Sequence, residues 1–369
     1  MAYLYFLSAF LLSLGGALPS FATGQVDGTI NPAGRFQLNF PARPGESYEI
    51  QTSPDLTNWV PTFTISGSGP QEDWDDYEVA EGKKFYRVEK IATPEENLTS
   101  GTMTVNQTWP QEPQGYDRTA QVIVPAGAGP FPVLIALHGA GGSSKVINSY
   151  GYLTQMIRVA PQGYLNFWNV SSEPSQAPDV AYMRQLILQL RTYKNVDAGD
   201  IAIIGSSNGA GLVNRLLLEL DGSLFQHGMR RAGNLSDNTY RDGTFWADPT
   251  GGNNRNTPTT PPRGRRIFSA TGTADTTIPY GGGWVNWLGL NFTHSQDDIF
   301  IYAQAMGHTG PQIPHGEAIE VAPGVFQSSY LDGDVVHYKL IDAPHSLAPF
   351  SSGADGRLAD LIKDFLSQP

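Results

Sequence analysis

The chain contains no cysteine. That single absence rules out thiol catalysis, Cys-ligated zinc, iron–sulfur clusters and disulfide cross-links. Charge is scarce too. Only 16% of the 369 residues are Asp, Glu, Lys or Arg, and 23 basic residues against 35 acidic ones leave a net charge of −12. No Lys/Arg stripe stands out, so a nucleic-acid partner is not expected. No apolar run is long enough for a membrane span: residues 4–18 (LYFLSAFLLSLGGAL) make about 15, where a helix needs ~20 to cross a bilayer.

What is present describes a folded, turn-rich protein. Hydrophobic residues make up 40%, with 41 Gly and 27 Pro, a composition unlike that of disordered or coiled-coil chains. The length favours two domains. The run 4–18 is followed by Ser20-Phe21-Ala22, small residues where a signal peptidase reads. Residues 1–22 therefore read as a signal peptide, and the protein as secreted or periplasmic. No Lys or Arg precedes the run, the first basic residue being Arg35, and a buried N-terminal helix is the alternative.

From residue 24 to 90 the pattern has period two. Phe36, Leu38 and Phe40 alternate with polar residues, as do Tyr48, Ile50 and Thr52, then Phe63 and Ile65. Pro44-Gly45, Ser53-Pro54-Asp55 and Gly67-Ser68-Gly69 supply the turns, which predicts a small β-sandwich-like accessory domain. The stretch Tyr48-Glu49-Ile50-Gln51-Thr52-Ser53-Pro54-Asp55-Leu56 with Asn58-Trp59, and Phe85-Tyr86-Arg87-Val88 further on, resembles a strand-rich module of secreted proteins of the Verrucomicrobia and their relatives. Trp59, Trp74 and Tyr77 could form a sugar-stacking face, but packing in the sandwich core is the favoured reading. Residues 91–101 read as a linker.

From residue 102 to 369 strands alternate with helical stretches. Residues 119–125, 133–137, 201–204, 267–270 and 335–341 read as strands. Val180, Met183, Ile187 and Leu190 repeat at helical spacing behind Asp179, a candidate N-cap. Apolar helices are predicted over 210–220 and 358–365. That alternation predicts an α/β domain with a mostly parallel central sheet.

The chemistry is expected where strands end. Residues 201–204 run straight into Gly205-Ser206-Ser207-Asn208-Gly209 and then a helix. This is G-x-S-x-G in the strand–turn–helix setting of a nucleophile elbow, which makes Ser207 the candidate nucleophile. With the order nucleophile, acid, base, His345 fits the base in the loop after the last strand, and Asp275 the acid in the loop after 267–270. Asp342 is the rival acid, more simply a turn carboxylate, and Asp298 and Asp334 read as surface residues. His337 reads as a sheet residue, His138 as structural, and His308 and His315 as possible cleft lining. The oxyanion donors expected are the N–H groups of Asn208 and Ala140, with Gly141 as the fallback to Ala140. Trp168, Tyr280 and Trp284 fall on loops at the same edge, where each could stack on a substrate ring or be packed away. The segment 234–266 reads as a polar, mobile rim.

These stretches carry a resemblance. Leu137-His138-Gly139-Ala140-Gly141-Gly142, Val159-Ala160-Pro161-Gln162-Gly163 with Trp168, Ala177-Pro178-Asp179-Val180, Val196-Asp197, Gly205-Ser206-Ser207-Asn208-Gly209, and Gly272-Thr273-Ala274-Asp275 leading to Ile278-Pro279-Tyr280 are similar to the polyhydroxybutyrate-depolymerase/feruloyl-esterase branch of α/β-hydrolases, which includes carbohydrate esterase family one. The resemblance implies an α/β-hydrolase fold, a Ser207–Asp275–His345 triad, hydrolysis of carboxylic esters outside the cell, and neither cofactor nor metal. The expected partner is an ester substrate linked to a polymer: feruloyl or acetyl groups on polysaccharide, or an aliphatic or aromatic polyester. The chain departs from these relatives at Pro344-His345-Ser346-Leu347-Ala348-Pro349, where they place Gly before the histidine and Trp-Pro soon after. A peptidase on the same fold and a non-catalytic carbohydrate-binding or adhesion protein are the alternative functions.

Overall fold

The structure is a computed structural model and describes residues 27–30, 36–43, 46–57, 59–66, 70–76, 84–91, 96–249, 251–351 and 356–368. The signal-peptide reading of 1–22, Tyr77, Asn58 and the turns at 44–45 and 67–69 lie outside the described residues. Contacts divide the chain into two units, one running to Asn97 and including Arg191–Lys194, the other holding the rest.

The first unit consists of two three-stranded antiparallel sheets. Asp27–Ile30, Phe36–Pro41 and Gln71–Asp76 form one, and Val60–Ser66, Ser47–Ser53 and Phe85–Ile91 the other. The period-two pattern has its physical cause in their shared core. Leu38, Phe40 and Trp74 from one sheet and Tyr48 and Ile50 from the other bury together. Trp74 is thus a core residue, while Trp59 is half-buried beneath the Arg87 guanidinium, 4.5 Å from its ring centre.

The second unit is an α/β domain around a ten-stranded sheet. Its strands are β1 (Gly101–Trp109), β2 (Glu112–Ile123), β3 (Phe131–Leu137), β4 (Ile157–Pro161), β5 (Val196–Ser206), β6 (His227–Arg231), β7 (Arg266–Gly272), β8 (Ile319–Ala322), β9 (Val325–Tyr330) and β10 (Val335–Leu340). They lie in the order β8-β9-β10-β7-β6-β5-β3-β4-β2-β1. The six from β10 to β4 are parallel, and antiparallel pairs flank them on both sides. The helices are α1 (Asp179–Leu190), α2 (Asn208–Glu219), α3 (Ser295–Ala305) and α4 (Arg357–Ser367).

Both faces of the parallel block are covered, which is why its strands read as unbroken apolar runs. Leu134, Ala136, Ala202, Ile204, Phe268, Ala270, Val336 and Tyr338 point to one face and pack with Leu358, Ile362 and Phe365 of α4. On the opposite face a Cβ at Gly228 would press on the Leu217 side chain of α2, and Arg230 two residues on pairs with Asp298 of α3. Among the described residues no helix is long and apolar enough to cross a membrane.

Three expectations are corrected. Asp298 is fully buried rather than a surface residue: the Arg230 guanidinium spans both its oxygens at 2.7 and 2.9 Å, and the Leu235 N–H donates to it as well. Asp179 opens α1, but its buried carboxylate accepts from Arg118 at 2.6 Å and from the Asn169 N–H at 2.7 Å. The segment 234–266, expected as a polar rim, holds a three-stranded sheet of Tyr240–Arg241, Thr244–Ala247 and Thr257–Thr259, with Phe245 buried.

Candidate active site

Four loops at the carboxyl ends of parallel strands build the site, after β3, β5, β7 and β10. Ser207 follows β5 directly and sits at φ 55°, ψ −120°, a backbone region that is strained for any residue with a Cβ. Its neighbours hold it there. The Ser207 N–H donates to the Arg231 carbonyl at 2.9 Å, and the Ser207 carbonyl accepts the first helical bond, from Gly211, at 3.0 Å. The flanking glycines are required by close approach. A Cβ at Gly205 would collide with the Gly209 carbonyl, and one at Gly209 would lie 2.6 Å from the His138 carbonyl.

The structure brings Ser207, His345 and Asp275 together. His345 Nε2 lies 2.9 Å from Ser207 Oγ, and His345 Nδ1 lies 2.7 Å from Asp275 Oδ2. An ionised carboxylate can only accept, so the proton sits on Nδ1 and the Nε2 lone pair faces the serine hydroxyl. The other oxygen of Asp275 accepts from the N–H groups of Thr277 and Ile278 at 2.8 and 2.9 Å. Its side chain is fully buried, while that of His345 is 27% exposed and open to a reactant. The rival Asp342 is an exposed turn residue with φ 57°, its N–H bonded to Thr273 Oγ1.

The turn after β3 stands beside the nucleophile: a Cβ at Gly139 would be 3.5 Å from Ser207 Cβ. A bond from the Gly142 N–H to the Gly139 carbonyl closes it, and the Gly141 N–H is taken by the Asn166 carbonyl at 2.9 Å. Gly141 is therefore withdrawn as an oxyanion donor. No acceptor among the described residues takes the Ala140 N–H. Asn208 opens α2, where the first N–H groups have no partner within the helix and the helix dipole favours negative charge.

The Asn208 side chain has a part that the sequence did not disclose. Its Oδ1 accepts from the Trp168 N–H at 2.8 Å, and its Nδ2 donates to the Trp168 carbonyl at 3.0 Å and to Glu173 at 2.8 Å. The loop that supplies the Asn166 carbonyl to the turn after β3 is thus clamped to the first residue of α2. Only a side chain with both donor and acceptor reads a backbone N–H and carbonyl at once.

Trp168 itself is corrected as a substrate contact. It is fully buried, with its indole N–H donating to the His138 carbonyl at 2.8 Å. Tyr280 is half-buried and its hydroxyl lies 3.2 Å from His337 Nε2. Trp284 is 60% exposed, on a hairpin of Gly283–Val285 and Leu290–Phe292 that follows the Asp275 loop, and Trp287 at its tip is 68% exposed. His138 is buried and accepts from the Gly163 N–H. His308 packs against Phe300 and Tyr330, and His315 against His294.

His337 is buried in β10, with Nδ1 3.2 Å from Ser269 Oγ. Burial, with a smaller push from Arg230, drives its pKa down to about 3. The unfolded chain takes up that proton near pH 6.5, whereas the folded chain refuses it until about pH 3. Stability present above pH 6.5 is therefore lost as the pH falls, by roughly 2–3 kcal/mol at pH 4.5 from this residue. Urea unfolding from pH 7 to 4.5 should show a shallower decline in His337→Gln than in the parent, and parallel declines would refute the assignment.

No family model matches the chain, and no curated protein does. Among solved structures it is similar to Thermogutta terrifontis esterase 2 phosphonylated by cyclosarin, at 15% identity and TM-score 0.45, over 72% of this chain and 93% of that one. A thermostable esterase is matched at 11% identity and TM-score 0.42, over 93% and 96%. The 2,6-dihydroxy-pseudo-oxynicotine hydrolase is matched at 13% identity and TM-score 0.31, over 38% of this chain and 40% of that one, so this chain spans two fifths of that hydrolase's length.

Proposed function

We propose that this chain is a secreted serine hydrolase of carboxylic esters, acting on esters carried by or linking a polymer. The observation that carries the reading is the Ser207–His345–Asp275 relay at 2.9 and 2.7 Å. Ser207 Oγ attacks the ester carbonyl carbon as His345 Nε2 takes its proton, and Asp275 holds the imidazole and steadies the imidazolium. The N–H groups of Ala140 and Asn208 receive the oxyanion of the tetrahedral intermediate, where one donor is worth ~2.7–4 kcal/mol of barrier. Collapse expels the alkoxide, which takes the proton from His345 and leaves an acyl group on Ser207. Water, deprotonated by His345, attacks that acyl group; the carboxylic acid departs and Ser207 recovers its proton.

The polymer part of the reading draws on the exposed indoles of Trp284 and Trp287, flat faces suited to sugar or aryl rings. Secretion draws on the apolar run before Ala22. The test is release of p-nitrophenol from acetate, butyrate and octanoate esters by the chain lacking residues 1–22. Turnover that falls from acetate to octanoate is expected, with feruloyl, acetyl-polysaccharide and polyester substrates assayed next. A folded protein that turns over none of the three esters would sink the proposal.

A further inference from the structure

One cluster of side chains has no part in the reaction proposed above. His294 caps α3, Asp297 lies in its first turn, and His315 lies in the irregular stretch between α3 and β8. One ligand atom from each falls within 4.8 Å of the others. The two imidazole rings stack face to face, with centroids 3.8 Å apart and planes 2° apart. His315 Nε2 lies 2.6 Å from Asp297 Oδ1, an oxygen that also accepts from Gln312.

The grouping has the chemistry of a metal shell. Two imidazoles at this spacing repel when both are protonated. Neutral imidazole and carboxylate are the states that a divalent metal ligates. Two nitrogens and one oxygen suit zinc, whereas magnesium and calcium favour all-oxygen shells.

We propose that His294, Asp297 and His315 bind a zinc-class divalent cation, which clips the loop 306–318 to the first turn of α3. Neighbouring contacts already hold the loop in place for this. Gln296 Nε2 donates to the carbonyls of Ile313 and Pro314 at 3.1 and 3.2 Å, and the Ile313 N–H donates to Tyr330 Oη at 2.9 Å. A tetrahedral shell with bonds near 2.0–2.1 Å spaces its ligand atoms by ~3.3 Å. The His315–Asp297 contact therefore opens by well under an ångström, the proton on His315 Nε2 is exchanged through solvent for one on Nδ1, and the two stacked rings turn so that their lone pairs meet at the ion. His294 Nδ1 accepts the Gln296 N–H at 3.2 Å, at the weak limit of such bonds, and ligation through this ring exchanges that cap for the metal. Three protein ligands leave a fourth position for water.

The experiment is calorimetric titration of the untagged protein with zinc chloride, paired with thermal unfolding. The parent is expected to bind one equivalent at micromolar or lower Kd, and its Tm to rise by roughly 4 °C or more at a hundredfold excess over Kd. His315→Ala, at a half-exposed position, and Asp297→Asn should each weaken binding at least tenfold, while His308→Ala, in the same loop but outside the cluster, keeps the parent's Kd. Cobalt(II) in place of zinc should develop the visible absorption of a four-coordinate ion in the parent alone. Absence of zinc binding by the folded parent overturns the proposal, and so does binding that His315→Ala and Asp297→Asn weaken by less than tenfold.

Discussion

Replacing Ser207 with alanine is expected to lower ester turnover by about 10⁴–10⁶-fold, the loss seen when the nucleophile of such a relay is removed. The fold should persist, because the Cβ stays and the bonds at the Ser207 N–H and carbonyl come from the backbone. Glycine at the same position should be as inactive but more stable. At φ 55°, ψ −120° any Cβ costs energy that glycine does not incur, so Ser207→Gly should exceed Ser207→Ala by about 1 kcal/mol, or ~2–4 °C in Tm. Both variants lack the hydroxyl, so their difference isolates the backbone. Ester kinetics and thermal unfolding of the two proteins decide the matter. Alanine activity within tenfold of the parent would discard Ser207 as nucleophile, and a glycine variant no more stable than the alanine one would discard the strain.

The second large effect is expected at Gly272, where β7 ends. A Cβ there would collide with the carbonyl of Ala343, and this contact joins the loop of Asp275 to the loop of His345. The two loops are already stitched by the Thr273 N–H to the Leu340 carbonyl at 2.9 Å and the Ala274 N–H to the Ala343 carbonyl at 3.1 Å. Gly272→Ala must spread them and so lengthen the Asp275–His345 contact. Turnover should fall by about 10²-fold, as an ångström of misplacement costs, and stability by roughly 1–3 kcal/mol from overpacking. Gly281→Ala is the matched control, since nothing lies within 4 Å of a Cβ there. Equal kinetics for the two variants would show that the Asp275 and His345 loops do not depend on this contact.

Gly272 and Ser207 differ in how far sequence alone reveals them. The elbow is legible because its signals are local: an apolar strand, two glycines and an apolar helix stand in one stretch of chain. Asp275 and His345 are readable as candidates from chain order, since each follows a buried strand. The steric need for Gly272 is invisible, because Ala343 is far away in sequence. Trp168 was open to two readings for the same reason: its indole meets the His138 carbonyl across 30 residues. Asp298 reads as a surface residue beside Asp297, and only Arg230, on a strand 68 residues earlier, turns it into a buried ion. The strands β8 and β9 escape notice because their exposed and half-buried positions, such as Glu320 and Gln327, interrupt the apolar pattern that marks the inner strands.

The Arg230–Asp298 pair also constrains how this chain can change over generations. Both side chains are fully buried, and the Arg230 guanidinium reaches Asn214 of α2 as well, so three elements share the charge. Losing either partner alone strands the other as a buried ion at a cost of about 3–5 kcal/mol, a large share of the 5–15 kcal/mol that holds a typical domain together. Exchanging both for apolar residues of like volume is close to neutral. A lineage must therefore cross a deep valley to reach an equally stable neighbour, and descendants of this chain should keep the two residues together or lose them together.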